Sequence, residues 1–108
     1  VTSPKVRAGA THVYHVYCIR VSQRDALQAF LKENGIDTAR HYPTILPLLQ
    51  AYAYLGHTAA DFPVAVQHSP EILSLPIYPE ISDAQQDHVV NMIIKYITYV
   101  FYQFATTN

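Results

Sequence analysis

The sequence predicts one small α+β domain over residues 1–108, and three observations support this fold class. Half of the 108 residues are hydrophobic (50%) and 12% are aromatic, which is enough apolar content for one folded core. Near the N-terminus, a strand-like segment is followed by a helix-like segment and a second strand-like segment. A long helical pattern lies near the C-terminus.

The first strand is predicted for THVYHVYCIRV, from Thr11 to Val21, because β-branched and aromatic residues are dense there. The segment also holds two histidines and the single cysteine, so a metal site or a nucleophile must be considered. Side chains alternate across a strand, so His12 and His15 would point to opposite faces and could not share one metal ion. Cys18 is expected to be a small buried side chain, since a reactive thiol needs an electropositive, partly exposed setting. We interpret the segment as scaffold without metal ligands.

A helix and a second strand are predicted next. Ser22 is the candidate N-cap of SQRDALQAFLKENG, whose apolar residues share one face and which stops at Gly35. The following IDTARHYP, residues 36–43, is typical of a strand that ends at Pro43. The strand, helix and strand order places both strands in one sheet.

The middle of the chain predicts short elements. A short helix is expected from Pro47 to Leu55, ending at Gly56, and another from Pro63 to Leu73. The segment LPIYPEI, residues 75–81, is expected to be extended because its two prolines oppose a helix.

The last helix is predicted from Asp83 to about Phe104, because Ser82 and Gln85 form a capping box. Apolar residues cover most of its circumference, whereas a surface helix needs only one apolar face. Its apolar run is short and interrupted by Lys95, while a membrane span needs about 20 apolar residues. Two interpretations stay open: a central core helix, or a helix whose surplus apolar surface contacts another domain or subunit.

Composition and motifs exclude several function classes. Seven Lys and Arg against eight Asp and Glu give a net charge of -1 without basic clusters, which opposes nucleic-acid binding. A single cysteine excludes an internal disulfide framework and favours a reducing, cytoplasmic setting. The first ten residues lack the apolar region of a signal peptide. No Gly-rich phosphate loop, nucleophile elbow or Cys/His metal cluster occurs, so no catalytic, cofactor-binding or metal-binding residue is assigned.

The order and spacing of several segments carry more information. HVYHVYCIRV, GIDTARHYP and LSLPIYPEIS together resemble the C-terminal part of the DegT/DnrJ/EryC1/StrS family, and the resemblance covers about residues 12–95. These are sugar aminotransferases of the aspartate-aminotransferase fold, fold type I, that use pyridoxal phosphate. The resemblance implies a two-layer C-terminal small domain, with a few-stranded, mainly antiparallel sheet covered by helices. The large domain, against which it would pack, is absent from this chain.

The resemblance also implies a function. Such enzymes convert a keto sugar on a nucleotide diphosphate into an amino sugar for polysaccharides or antibiotics, with glutamate as the usual amino donor, and they typically act as homodimers. The Schiff-base lysine and most of the phosphate site belong to the large domain. This segment alone is therefore expected to be inactive and not to bind the cofactor, and its own lysines are expected to be exposed: Lys5, Lys32 and Lys95.

His41 and Tyr42 are the substrate-binding candidates that the resemblance implies. With Pro43 they match the family's His-Tyr-Pro motif near the active-site entrance, where imidazole and phenol can hydrogen-bond sugar hydroxyls or diphosphate. Pro47 stands where a second histidine often follows, and Val66 where a glutamate is frequent. The identity of the sugar nucleotide and the aminated carbon stay open.

A second hypothesis comes from a different class of protein. The chain could be a non-catalytic module for a small ligand or an interaction partner, either a remnant or a regulatory β-α-β domain. Reading the coding sequence upstream of Val1 would separate the two hypotheses: a large α/β domain supports the enzyme, and a start codon at that position supports the module.

Overall fold

The computed structural model of the chain describes residues 1–106. Three short 3-10 segments lie between the first two α-helices, at Leu46–Leu48, Gln50–Leu55 and Ala59–Asp61. The strands and α-helices follow the order β1 (Tyr17–Arg20), α1 (Arg24–Glu33), α2 (Pro63–His68), β2 (Ile72–Leu75) and α3 (Asp83–Thr106). The predicted combination of a few strands with helices and a long last helix is confirmed.

The sheet consists of β1 and β2, which pair in antiparallel orientation. Cys18 is paired with Ser74, and Ile19 with Leu73. Successive side chains of a strand point to opposite faces, so the two pairs lie on different sides of the sheet. Ile19 and Leu73 belong to the hydrophobic core, which leaves Cys18 and Ser74 on the opposite face.

The core lies between one face of the sheet and the helices α1 and α3. Leu27 and Leu31 of α1 and Leu73 of β2 are fully buried, with 0% exposure. Val89 and Ile93 complete the contact from α3. Burial of one such aliphatic side chain contributes about 1.5–3 kcal/mol, so this cluster fixes the two strands against the two helices.

The last helix begins at the predicted capping box. The Ser82 backbone N–H donates to Gln85 Oε1 at 2.9 Å, and the Gln85 backbone N–H donates to Ser82 Oγ at 3.3 Å. The helix extends to Thr106, two residues beyond the predicted end. It is not an enclosed core helix, because five of its large apolar side chains are exposed: Val90, Ile94, Ile97, Phe101 and Phe104. In the part of the chain that the structure describes, no helix has the length and apolarity needed to cross a bilayer.

The first strand is shorter than predicted, because β1 contains only residues 17–20 of the predicted 11–21. Tyr14 has a φ of 47°, a left-handed conformation that an extended strand cannot include. Its backbone N–H donates to His12 Nδ1 at 2.8 Å. The strand alternation that separated His12 from His15 therefore does not apply to them.

The second strand is not where the sequence predicted it. Residues 36–43 contribute a single antiparallel bridge, between Ala39 and Ser74, so the predicted strand there is wrong. The second strand is β2, which overlaps the end of the helix that was predicted to reach Leu73. That helix, α2, ends at His68, because Pro70 has no N–H with which to continue the hydrogen-bond ladder.

Two helix boundaries also differ from the prediction. Gln23 is the N-cap of α1 and makes no side-chain capping bond, so the expected cap at Ser22 is wrong. The predicted stop at Gly35 is confirmed, since this residue has a φ of 76°, which favours glycine. The helix predicted from 47 to 55 is two 3-10 segments instead, and it ends as expected at Gly56, where φ is 69°.

Candidate functional site

The predicted site residues His41 and Tyr42 follow a segment that crosses the outer edge of β2. Ala39 anchors this segment: its N–H donates to the Ser74 carbonyl at 3.1 Å and its carbonyl accepts the Ser74 N–H at 2.8 Å. Two residues later, His41 Nδ1 lies 2.9 Å from Ser74 Oγ. The fold thus brings the His-Tyr-Pro segment against the face of the sheet that the core leaves free.

His41 and Tyr42 line two neighbouring clefts. The larger, about 530 Å³, runs along the free face of the sheet and is called here the sheet-face cleft. The smaller, about 380 Å³, lies toward α2 and includes Thr44, Leu46 and His68. The sheet-face cleft is lined by His15, Val16, Cys18, Asp37, Thr38, Ala39, His41, Tyr42, Ser74, Leu75, Pro76 and Ile77.

The chemistry of the sheet-face cleft suits neutral hydroxyl groups. Its polar lining consists of two imidazoles, three hydroxyls, one thiol and the carboxylate of Asp37, and it contains no lysine or arginine. Imidazoles, hydroxyls and carboxylates can donate to or accept from sugar hydroxyls. A diphosphate is normally bound by arginine, lysine or a helix N-terminus. The cleft itself therefore suits a neutral group with several hydroxyls better than a phosphate.

Sequence reasoning missed several residues of this cleft. His15 was assigned to scaffold, yet it lines the cleft together with His41. Asp37 and Thr38 belong to the same GIDTARHYP segment as His41, so the segment itself was the available signal. Cys18 was expected to be buried, but it is a half-buried free thiol on the free face of the sheet.

Asp61 and Tyr96 have shifted pKa values, and neither residue lines these two clefts. The Thr58 backbone N–H and hydroxyl donate to Asp61 Oδ2 at 2.7 and 3.0 Å, and these bonds lower the pKa of the Asp61 carboxyl. Partial burial raises the pKa of Tyr96, whose hydroxyl donates to Gln23 Oε1 at 3.2 Å. Asp61 caps a 3-10 segment and Tyr96 packs against the core, so both have structural explanations.

Pyridoxal phosphate does not fit the described residues. An amine that forms an imine with the cofactor must be desolvated or lie beside a cation. The three lysines are all exposed, and neither the sheet-face cleft nor its neighbour contains one. Both clefts also lack an arginine for the phosphate. Within residues 1–106, no three His, Cys, Asp or Glu side chains are grouped to hold a metal ion.

Comparison with known proteins identifies relatives over most of the chain. The profile of the DegT/DnrJ/EryC1/StrS aminotransferase family matches residues 1–94. The chain is 45% identical over 96 residues to the pleiotropic regulatory protein of Geobacillus stearothermophilus, covering 89% of this chain and 26% of that protein. It is 36% identical over 93 residues to dTDP-3-amino-3,6-dideoxy-alpha-D-galactopyranose transaminase of Aneurinibacillus thermoaerophilus, covering 86% of this chain and 25% of that protein.

Solved structures agree with these matches. The fold superimposes on S. venezuelae DesV, in complex with a ketimine intermediate, with a TM-score of 0.83 and 30% identity, covering 88% of this chain and 26% of DesV. The chain therefore spans about a quarter of the length of the relatives that it matches. The family profile and the fold lead to the same conclusion: this chain belongs to the DegT/DnrJ/EryC1/StrS aminotransferase family.

Proposed function

We propose that the chain is the C-terminal small domain of a pyridoxal-phosphate-dependent aminotransferase that converts a keto sugar on a nucleotide diphosphate into an amino sugar. Family membership is the observation that carries this proposal. Relatives named as transaminases of dTDP-linked and UDP-linked amino sugars support the substrate class. The chain matches only about a quarter of each relative, so the large domain would belong to a longer protein.

The sheet-face cleft is proposed to contact the sugar part of the substrate. His41 and Tyr42 are exposed polar groups at its rim, and Thr38 and Asp37 add a hydroxyl and a carboxylate from the same segment. Sugar hydroxyls are both donors and acceptors, so a cleft with donors and acceptors can orient them. The absence of lysine and arginine from its lining favours binding of the diphosphate elsewhere in the longer protein.

The described residues supply binding and orientation, not the amino-transfer chemistry. When bound, pyridoxal phosphate supplies the carbonyl group that takes the amino group from the donor and passes it to the keto sugar. Because no described lysine suits the cofactor, the large domain is proposed to hold it. We further propose glutamate as amino donor, a homodimer and a cytoplasmic location, on the support of the family resemblance and the single cysteine.

The test is His41→Ala in a longer protein that carries this segment, with the two half-reactions measured separately. We expect weaker use of the sugar nucleotide and an unchanged reaction with glutamate, because His41 lies at the proposed sugar cleft. Loss of a bond to a neutral hydroxyl costs about 0.5–1.5 kcal/mol, and of a bond to a charged group about 1.5–3 kcal/mol. The size of the loss therefore distinguishes sugar from diphosphate.

His57→Ala is the matched control, because His57 is an exposed histidine that lines neither cleft. An equal loss in both half-reactions of the His41 variant would contradict the assignment to sugar recognition. An unchanged reaction with the sugar nucleotide would remove His41 from the site.

A second function is favoured by the names of two relatives. One is a pleiotropic regulatory protein, and another, 41% identical over 90 residues, is the erythromycin biosynthesis sensory transduction protein EryC1 of Saccharopolyspora erythraea. Such names favour a regulatory role, and the alternative we propose is a non-catalytic module that binds a small ligand or an interaction partner. Saturable binding of a keto-sugar nucleotide by the longer protein, without amino-sugar formation in the presence of cofactor and glutamate, would support this alternative.

A further inference from the structure

Ser74 is a polar residue that the fold buries directly behind His41. Its exposure is 4%, and the only other buried polar or charged residue within residues 1–106 is Arg24. Ser74 lies on the face of β2 opposite the core, where the segment that includes Ala39 and His41 covers it. A buried hydroxyl is normally hydrogen-bonded, so its partner is informative.

Ser74 contacts the segment that includes His41 through both its backbone and its side chain. Its backbone N–H and carbonyl both bond to Ala39, which fixes the chain two residues before the imidazole. Its hydroxyl lies 2.9 Å from His41 Nδ1, which fixes the ring. The main chain and the side chain of one residue therefore set both the position and the orientation of His41.

The pattern of partners determines which atom donates. Across the described chain, His41 Nδ1 is the single hydrogen-bond partner of the Ser74 hydroxyl. If Nδ1 carried the proton and donated, the Ser74 hydroxyl hydrogen would have no acceptor among the described residues, which is more costly for a buried hydroxyl than an unused oxygen lone pair. The hydroxyl therefore donates to Nδ1, and a neutral imidazole that accepts at Nδ1 carries its proton on Nε2.

We propose that Ser74 is a positioning residue that holds neutral His41 as the Nε2–H tautomer and presents Nε2–H to a ligand as a donor. His41 is exposed and lines both clefts, and no residue among the described ones hydrogen-bonds to Nε2. The ligand atom must accept, which a sugar hydroxyl or keto oxygen can do and an amino group in its ammonium form cannot. The identity of this ligand rests on the proposed function, whereas the tautomer does not.

The tautomer is tested by nitrogen NMR of the full chain labelled at histidine nitrogens, at a pH where His41 is neutral. We expect Nδ1 of His41 to show the signal of an acceptor nitrogen and Nε2 that of a protonated one. In Ser74→Ala the signals should shift toward the tautomer mixture of a free imidazole. Ser74→Thr retains a hydroxyl and should keep the wild-type pattern. A proton on Nδ1 in the wild type, or no change in Ser74→Ala, would overturn the proposal.

The link to the ligand is tested in the longer protein with Ser74→Ala and with two variants that replace the imidazole by an amide. His41→Asn keeps an amide near the Nδ1 position but loses Nε2, and His41→Gln places its amide near the Nε2 position but cannot reach Ser74 in the same way. We expect Ser74→Ala to raise KM for the sugar nucleotide about 2- to 10-fold with little change in kcat, which corresponds to one neutral hydrogen bond. His41→Gln should retain more affinity than His41→Asn.

The two measurements separate failure of this inference from failure of the proposed function. An unchanged KM in Ser74→Ala, with a shifted tautomer, would overturn the role of Nε2–H toward the ligand. A wild-type protein that forms no amino sugar would refute the proposed function, and the NMR result would still decide the tautomer.

Discussion

The exposed side of α3 leads to a quantitative prediction about self-association. Three residues that contact the core follow a spacing of four and three: Val89, Ile93 and Tyr96. One residue further along, a second set repeats this spacing on the exposed side and is called here the outer stripe: Val90, Ile94, Ile97, Phe101 and Phe104. Apolar residues that alternate three and four apart are typical of helices that pack against another helix. We predict that the isolated chain self-associates through the outer stripe.

The exposed fraction of each side chain in the outer stripe determines how much free energy its burial can contribute to association. Complete burial of a side chain of this size contributes about 1.5–3 kcal/mol. Ile94 is 56% exposed and Phe101 is 75% exposed, so burial of their exposed parts offers roughly 1–2 kcal/mol each. A symmetric dimer uses every residue twice, and the whole stripe offers roughly 8–17 kcal/mol against an association cost of about 4–15 kcal/mol. The gain from burial is comparable with or larger than this cost, so the isolated chain should self-associate.

Ile94→Lys should remove roughly 1 kcal/mol of association free energy for each protomer of the dimer. The dissociation constant should therefore rise about 30-fold. Asn91→Lys is the matched control, because it adds the same charge to an exposed polar position of the same helix. Sedimentation velocity over a range of concentrations measures both variants. A wild-type chain that stays strictly monomeric at high concentration would refute the reasoning, as would equal weakening by the two substitutions.

Three further predictions concern stability, pH and activity. Arg24→Met should lower the free energy of unfolding in urea by about 1.5–3 kcal/mol, because the buried guanidinium donates to two backbone carbonyls. Asp25→Asn should cost less than about 1 kcal/mol, since its carboxylate is 76% exposed, and an equal cost would contradict this ranking. The bonds from Thr58 lower the pKa of Asp61 below 3.8, so this cap should be intact above about pH 4 and be lost as the pH falls through the lowered folded-state pKa. Relative to the intrinsic exchange rate at each pH, protection of the Thr58 amide should therefore fall at low pH, and the same fall in Asp61→Asn would contradict the assignment. The chain alone, mixed with pyridoxal phosphate, glutamate and a keto-sugar nucleotide, should form no amino sugar, because its three lysines are exposed. Turnover with a stoichiometric, borohydride-trappable adduct at one lysine would refute that prediction.

Elements with local signals were predictable from the sequence. The start of α3 depends on the reciprocal bonds between Ser82 and Gln85, which are three residues apart and need no distant partner. The ends at Gly35 and Gly56 depend on one residue that adopts positive φ. The end of α2 was also marked locally, because Pro70 has no N–H with which to continue a helix. The prediction that this helix reaches Leu73 did not take Pro70 into account.

The strands were harder to predict because short apolar segments suit more than one structure. ILSL, residues 72–75, was assigned in part to a helix, yet it forms β2 opposite β1. IDTARHYP has the composition of a strand, but only Ala39 pairs, with Ser74. Strand propensity depends on the neighbouring strands and on burial, which are not visible in a segment of four to eight residues.

The sequence by itself determined the α+β class, the long last helix and, through the combined motifs, the family that the profile and the fold confirm. It also singled out His41 and Tyr42 as the segment to examine. Only the tertiary structure decided that His15 and Cys18 line the same cleft as His41 and that Ser74 contacts it, because this arrangement depends on strand pairing and on a side-chain bond between residues 33 positions apart. Helix caps act within a few residues and can be read locally, whereas contacts between distant segments form only when the whole core packs.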